Sequence, residues 1–399
     1  MDKFSWNVES VSKKSKARTG IIKTPHGKIE TPAFIFCATK AALKTLNPRD
    51  IKGNGTQIIL SNTYHLMLQP GSSIIAEHGG LHKFMNWKGP MLTDSGGFQI
   101  FSLGHGSVAQ EIKSKSDNKY YNKTLIKIDE EGALFKSYLD GSIHLLTPEK
   151  SIKIQRDLGP DIILVLDECT PFHVNKKYTN DSMLRSHRWA KRSINYFNSK
   201  HLYKPKFGSA GEQRMYGIIQ GGIYEDLRDE SIEFNLNDID VFGIAIGGSL
   251  GSTKEEMYKI VNYTGSKLGL KHPVHLLGIG DPKDIWHLVK SGIDTFDCVS
   301  PTRLARHGSA LVKTKVGKIN LNNNKYFGSK EAIDKNCMCE TCRNFSASYI
   351  HHLLKTKELL GLQLLSLHNV FFINEMMKCI RKAIKEDRLD KAQIEWFEN

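Results

Sequence analysis

The run Asp161-Ile162-Ile163-Leu164-Val165-Leu166, followed at once by Asp167-Glu168-Cys169-Thr170, decides the fold. Five consecutive aliphatic residues read as a short strand buried on both faces, and the polar sequel places reactive side chains at its C-terminal end. The same pattern recurs at Phe34 to Cys37, Gln57 to Ser61, Met91 to Thr93, Met215 to Ile219, Val241 to Ile246, Val274 to Leu277 and Thr295 to Val299. Helical patterns separate these runs. After nearly every run comes a polar or glycine-rich turn, such as Asn62-Thr63, Asp94-Ser95-Gly96-Gly97, Gln220-Gly221-Gly222 and Gly247-Gly248. Eight such βα units predict an α/β fold, a closed (β/α)8 TIM barrel whose βα loops form the catalytic face. An open doubly wound sheet is the poorer fit, because it places its glycine-rich turn once, near the start.

The pattern is interrupted between the third and fourth runs. There Ser107 to Lys123 is polar, while Leu125 to Leu146 alternates like short antiparallel strands around the turns Glu130-Glu131-Gly132 and Leu139-Asp140-Gly141. The sequence therefore predicts a catalytic barrel over residues 1–330, with an inserted β-hairpin region at about 105–146. A C-terminal zinc-binding and helical segment is expected over 331–399. Lys200 to Gln213 and Lys313 to Lys335 read as surface connections.

The chain has 399 residues, 40% hydrophobic and 25% charged, enough to bury a substantial core. It has no apolar run long enough to span a bilayer. Met1 to Gly20 is basic and serine-containing without the apolar segment of a secretory signal, so a cytoplasmic address is expected. A net charge of +14 favours an anionic partner.

Three of the seven cysteines fall in Cys337-Met338-Cys339-Glu340-Thr341-Cys342. An odd total with such clustering argues against a secreted disulfide framework and for metal. Thiolates spaced CxCxxC can share one Zn2+ through a tight turn, leaving a fourth tetrahedral position to be filled. His351, His352 and His368 are the nearby candidates, and spacing does not choose among them.

Two further segments carry acids where an apolar run stops: Thr93-Asp94-Ser95-Gly96-Gly97-Phe98-Gln99 and Phe296-Asp297-Cys298-Val299-Ser300-Pro301-Thr302-Arg303. Taken alone, each aspartate also reads as an ordinary turn or helix cap. Together with DECTPF (167–172), GIIQGG (217–222), GIAIGG (243–248), HLLGIGDP (275–282), CMCETC (337–342), SYIHHL (348–353) and LHN (367–369), they resemble the tRNA-guanine transglycosylase family. The resemblance runs in one order over roughly residues 10–385.

That resemblance implies exchange of the wobble guanine of G-U-N anticodon tRNAs (Asp, Asn, His and Tyr types) for a 7-deazaguanine, preQ1 or queuine, in queuosine modification. It makes Asp297 the nucleophile at the ribose C1′ and Asp94 the general acid/base. Asp167 becomes the acceptor for the base's N–H groups, Gln220 and the Gly248 N–H the donors to O6, and Phe98 the stacking partner. Ser95, Cys169 and Leu277 complete the base site, and Arg303 and Arg306 contact tRNA. The family's zinc site carries over to Cys337, Cys339, Cys342 and His368 as a structural Zn2+, with a homodimer expected. The chemistry suits paired carboxylates, because breaking an N-glycosidic bond needs proton delivery and stabilisation of an oxocarbenium-like centre.

One departure concerns the segment after Gly247-Gly248. Bacterial members continue Leu-Ala-Val-Gly-Glu, whereas this chain has Ser249-Leu250-Gly251-Ser252-Thr253, which points to a wider pocket that admits queuine. Cys169 instead follows the bacterial DECT pattern. Two relatives are the rival readings: a non-catalytic tRNA-binding subunit lacks the acids retained here, and archaeal members carry an added C-terminal RNA-binding domain. An unrelated glycoside hydrolase barrel leaves CxCxxC unexplained.

Overall fold

The computed structural model describes residues 3–100, 124–199, 211–248 and 250–398. The chain begins with a three-stranded sheet, β1 (Ser5–Val11), β2 (Arg18–Thr24) and β3 (Gly27–Thr31). The first three barrel strands follow: β4 (Ala33–Cys37), β5 (Ile58–Ser61) and β6 (Met91–Thr93). A second small sheet holds β7 (Leu125–Ile128), β8 (Ala133–Lys136) and β9 (Ile143–Leu146). Five more barrel strands are β10 (Ile162–Leu164), β11 (Arg214–Ile219), β12 (Gly243–Ile246), β13 (Val274–Leu276) and β14 (Thr295–Cys298). A terminal antiparallel pair is β15 (Ser309–Leu311) with β16 (Lys318–Asn320).

The eight strands close into one parallel barrel in the order β10-β11-β12-β13-β14-β4-β5-β6. Each predicted run is found, with its ends moved by at most two residues. The runs form strands because their side chains are buried on both faces; Phe34, Ile35, Phe36, Ile58, Ile59, Ile162, Ile163, Ile244 and Phe296 are all essentially inaccessible.

Two features differ from the sequence reading. The N-terminal sheet was not anticipated, since β1 is only half-buried and a register shift between Val8 and Ser10 blurs its alternation. The expected hairpin over Leu125 to Leu146 gains a third strand, because β8 pairs antiparallel with both β7 and β9. The polar part of that insertion, residues 101–123, lies outside the described residues, as do 200–210 of the second polar connection.

By contact density the chain forms two compact units. The first comprises Met1–Phe4, Thr24–Gly27 and Leu60–His275. In it, Gln155 of the helix Pro148–Leu158 acts as a backbone mimic. Its Oε1 accepts from Thr93 Oγ1 and from the Leu164 N–H at 3.0 Å each, and its Nε2 donates to the Leu164 carbonyl at 2.9 Å. Fixing Thr93 and, through Ser151 Oγ at 2.7 Å, the Ser95 carbonyl aligns the segment that carries Asp94.

The second unit comprises Ser5–Lys23, Lys28–Ile59 and Leu276–Asn399. Its spine is the helix Leu359–Lys385, which buries one face along its length. Asn369 on that face accepts from the Leu311 N–H at 2.8 Å and donates to the carbonyls of Pro301 (2.8 Å) and Ser309 (3.1 Å). Beneath β14, the buried Arg18 grips Asp294 through Nε at 3.0 Å and Nη2 at 2.5 Å.

Candidate active site

Asp94 follows β6 and is held by donors from the next segment round. Asn62 caps the helix Thr63–Leu68 with its side-chain oxygen and turns its amide nitrogen onto Asp94 Oδ2. The Thr63 N–H, at that helix's first turn, donates to Asp94 Oδ1 at 2.8 Å, and Gln99 Nε2 reaches Oδ2 at 3.1 Å. Thr63 Oγ1 also donates to the Asp94 carbonyl at 2.6 Å. Backbone and side chain are thus both pinned at a helix N-terminus, where partial positive charge complements a carboxylate. Asn62, Thr63 and Gln99 had no role in the sequence reading, although Asn62-Thr63 was read as the polar turn after the second strand run.

Asp167 stands just beyond β10 and is nearly inaccessible. Its Oδ1 accepts from Ser95 Oγ at 3.2 Å and its Oδ2 from Gln220 Nε2 at 2.6 Å. Burial pushes this carboxyl up to about 6, against the pull of the Ser95 and Gln220 hydrogen bonds. Gln220 follows β11, and its Oε1 is buried with no partner among the described residues. That open acceptor, beside a buried carboxylate and the second N–H of the same amide, forms a compact set for a ligand carrying donors and a carbonyl.

Two glycines make this approach possible. A β-carbon on Gly97 would lie 2.6 Å from the Asp167 carbonyl. Gly248, after β12, has φ +75°, and a β-carbon there would lie 2.4 Å from Gln220 Oε1. The structure therefore brings Ser95, Asp167, Gln220 and Gly248 together. Phe98 is 49% exposed, so its ring is not part of the core. Cys169 is half-buried.

In the second unit Asp297 occupies the end of β14, 8% exposed. The Gly278 N–H donates to its Oδ1 at 3.0 Å, and the Cys37 thiol lies 3.6 Å from its Oδ2. Both carboxylate oxygens are thereby oriented. Leu277 is half-buried beside Gly278. Arg303 and Arg306 lie one turn apart on the short helix Ser300–Arg306. Arg303 is exposed, whereas burial, and then the neighbouring Arg303 charge, lower the Arg306 guanidinium from its ordinary value. Arg306 Nη1 is buried without a partner among the described residues.

The same unit holds a metal-ligating cluster. His368 Nδ1 lies 3.7, 3.4 and 3.3 Å from the sulfurs of Cys337, Cys339 and Cys342. A tetrahedral Zn2+ with bonds of about 2.3 Å to sulfur and about 2.0 Å to nitrogen sets such separations near 3.5 Å. All four residues are buried. His368 Nε2 lies 2.7 Å from the Leu311 carbonyl, which fixes the tautomer that leaves Nδ1 free to ligate. Hydrogen bonds from Cys337 and Cys342 hold the Cys339 thiol well below its ordinary range, while hydrogen bonds with Cys337 and Cys339 raise Cys342, so the first thiolate of the cluster falls on Cys339. Among the three candidate histidines only His368 joins it. His351 pairs with the Leu321 carbonyl at 2.7 Å, and His352 faces solvent. With four protein ligands the group fits a closed, structural zinc site.

No helix among the described residues is long and apolar enough to cross a membrane. The model of a family described as queuine tRNA-ribosyltransferase matches residues 12–399. A queuine tRNA-ribosyltransferase of Roseiflexus sp. is 45% identical over 99% of both chains. Those of Protochlamydia amoebophila and Fusobacterium nucleatum are 46% identical over 97% of both chains and 45% identical over 97% and 96%, respectively. Agreement of that depth along a barrel whose strand ends carry Asp94, Asp167 and Asp297 leaves one assignment: the chain belongs to the queuine tRNA-ribosyltransferase family of tRNA-guanine transglycosylases.

Proposed function

We propose that the protein exchanges the guanine at position 34 of G-U-N anticodon tRNAs for a 7-deazaguanine through a covalent aspartyl-ribose intermediate. The Asp297 carboxylate attacks the ribose C1′, and the bonding pair of the C1′–N9 bond passes to guanine, which leaves as Asp94 supplies a proton. The incoming base, its proton taken by Asp94, then displaces Asp297 from the face that guanine left. Two displacements retain the anomeric configuration and make the kinetics ping-pong.

The observation that carries this reading is the Ser95-Asp167-Gln220 constellation, a buried carboxylate acceptor held beside the Gln220 amide donor. Guanine and 7-deazaguanine both offer N1–H and an exocyclic amine to a carboxylate and O6 to a donor. Gln220 and the Gly248 N–H supply that donor, while Cys169 and Leu277 border the base and Phe98 stacks on it once the nucleotide is swung out of its stack. Arg303 and Arg306 hold the flanking tRNA. Cys337, Cys339, Cys342 and His368 hold one Zn2+, which when bound ties the turn at Cys337–Cys342 to the long helix bearing His368. The active form is a homodimer in the cytoplasm.

The incoming base is preQ1 or queuine, and in this reading the pocket is wide enough for queuine itself, supported by Gly251 where the family pattern has valine and by the missing glutamate; Ser249 lies outside the described residues. The test is labelled-guanine exchange on a tRNA whose anticodon begins with G, with preQ1 and queuine as competitors. Incorporation displaced preferentially by queuine is expected. No exchange sinks the reaction, and preference for preQ1 sinks only the choice of base.

A further inference from the structure

We propose that Arg228 is a positioning residue for base recognition, a strut that locks the Gln220 and Gly248 segments into one rigid reader. The inference rests on the base-exchange reading above. In sequence Glu225-Asp226-Leu227-Arg228-Asp229-Glu230 looks like a solvated charged face, yet Arg228 is completely inaccessible.

Its donors go to backbone. Nε donates to the Gly222 carbonyl at 2.8 Å, and Nη1 donates to the carbonyls of Ile219 (3.2 Å) and Gly247 (3.0 Å). The first two acceptors flank Gln220, and the third precedes Gly248. One planar fork therefore ties the end of β11 to the end of β12, which a flexible single-point ammonium cannot do. Burial lowers the guanidinium to about 10, so it remains a cation at neutral pH with its donors intact.

The rest of the same helix face serves the same stretch. Ser231 Oγ accepts the Gln220 N–H at 3.0 Å and pairs with His187 Nε2 at 3.0 Å. Burial pushes His187 down to about 4, so its ring is neutral at physiological pH and brings no charge to Ser231. Asn235 donates to the carbonyls of Ile218 (3.2 Å) and Ser231 (2.8 Å). Ile218, Ile219, Gln220 and Gly222 are all gripped through their backbone from the helix Glu225–Glu233 and the turn after it, while only Arg228 also reaches β12. The reader tolerates little movement, since Gly248 packs so closely on the Gln220 amide that a β-carbon has no room.

The test uses full-length, zinc-loaded enzyme in labelled-guanine exchange, with tRNA and guanine varied separately. Arg228→Met is expected to lower kcat/KM for guanine by about 100-fold, the cost of a reader misplaced by about 1 Å, while KM for tRNA stays at the wild-type value. Arg228→Lys recovers part of the loss, because an ammonium reaches one of the carbonyls. A wild-type guanine dependence in both variants, or tRNA and guanine constants rising in proportion, overturns the strut. Should Arg228→Met fail to fold, Ser231→Ala decides: guanine KM rising alone supports the clamp, and an unchanged value removes it. An inert wild-type enzyme instead sinks the base-exchange reading, and the strut with it.

Discussion

Gln220 Nε2 lies 2.6 Å from Asp167 Oδ2, so the first partner of the base-reading amide is a carboxylate that burial makes costly to ionise. Its folded value near 6 stands above the ordinary 3.8, a difference worth about 3 kcal/mol. A raised folded value contributes stability that is complete below about pH 4 and lost as pH rises through about 6. Asp167→Asn removes that cost. Its melting temperature at pH 7 is expected to exceed that of the wild type by a few degrees, and the gain should vanish below pH 4. Guanine exchange moves oppositely, falling roughly 10- to 100-fold as a charged acceptor worth about 1.5–3 kcal/mol is lost. Melting curves at both pH values check the account; a variant no more stable at pH 7 contradicts it.

Asp297 has both oxygens oriented, by the Gly278 N–H and the Cys37 thiol, as an attacking carboxylate requires. Asp297→Ala should lower exchange by about 10⁴-fold or more and leave no covalent tRNA adduct on denaturing gels, with the melting curve showing folded protein. An adduct that survives in this variant assigns the nucleophile elsewhere.

The cysteine cluster predicts a separation between stability and chemistry. Four protein ligands would close a tetrahedral coordination sphere, so a bound metal is expected to contribute folding energy and no reaction step. Cys339→Ser, or chelation under partial unfolding, should take the bound zinc from about one per chain to none by elemental analysis and lower the melting temperature. Residual folded protein at low temperature should still exchange guanine. Activity that tracks zinc while the fold stays intact would place the metal in the chemistry.

Much of this was legible in the chain. Barrel strands announce themselves because an aliphatic run ending in Asp, Gln or Gly is a local signal, and Asp94, Asp167 and Asp297 sit where that signal ends. The groups that hold those residues were not legible, because their partners are set by tertiary approach. Gln155 meets Thr93 from 62 positions away, and Ser231 meets Gln220 from a helix that looks solvent-facing. Arg228 shows the extreme case, since charge composition calls it surface and the fold buries it. For the metal, CxCxxC was readable but its spacing did not choose among the histidines; the family resemblance chose His368, and the fold turns that ring to the sulfurs while His351 faces the Leu321 carbonyl.

Arg303 and Arg306 offer the last separation, between holding the tRNA and reading the base. They lie at i and i+3 on one helix, Arg303 exposed and Arg306 with an Nη1 that is buried and unpartnered among the described residues. A phosphate contact by Arg303 releases counterions, which makes affinity fall with salt by a slope of about 0.7 per contact on a single-stranded loop. Arg303→Ala should therefore weaken tRNA binding and reduce the slope of log Kd against log salt by about 0.7, measured from 50 to 200 mM NaCl. The KM for guanine should not change, because Asp167 and Gln220 read the base. An unchanged slope with weaker binding shifts Arg303 from phosphate to a base edge, since a neutral hydrogen-bond contact loses affinity without releasing ions. A guanine constant rising with the tRNA constant would remove Arg303 from tRNA binding altogether and make it part of the base site.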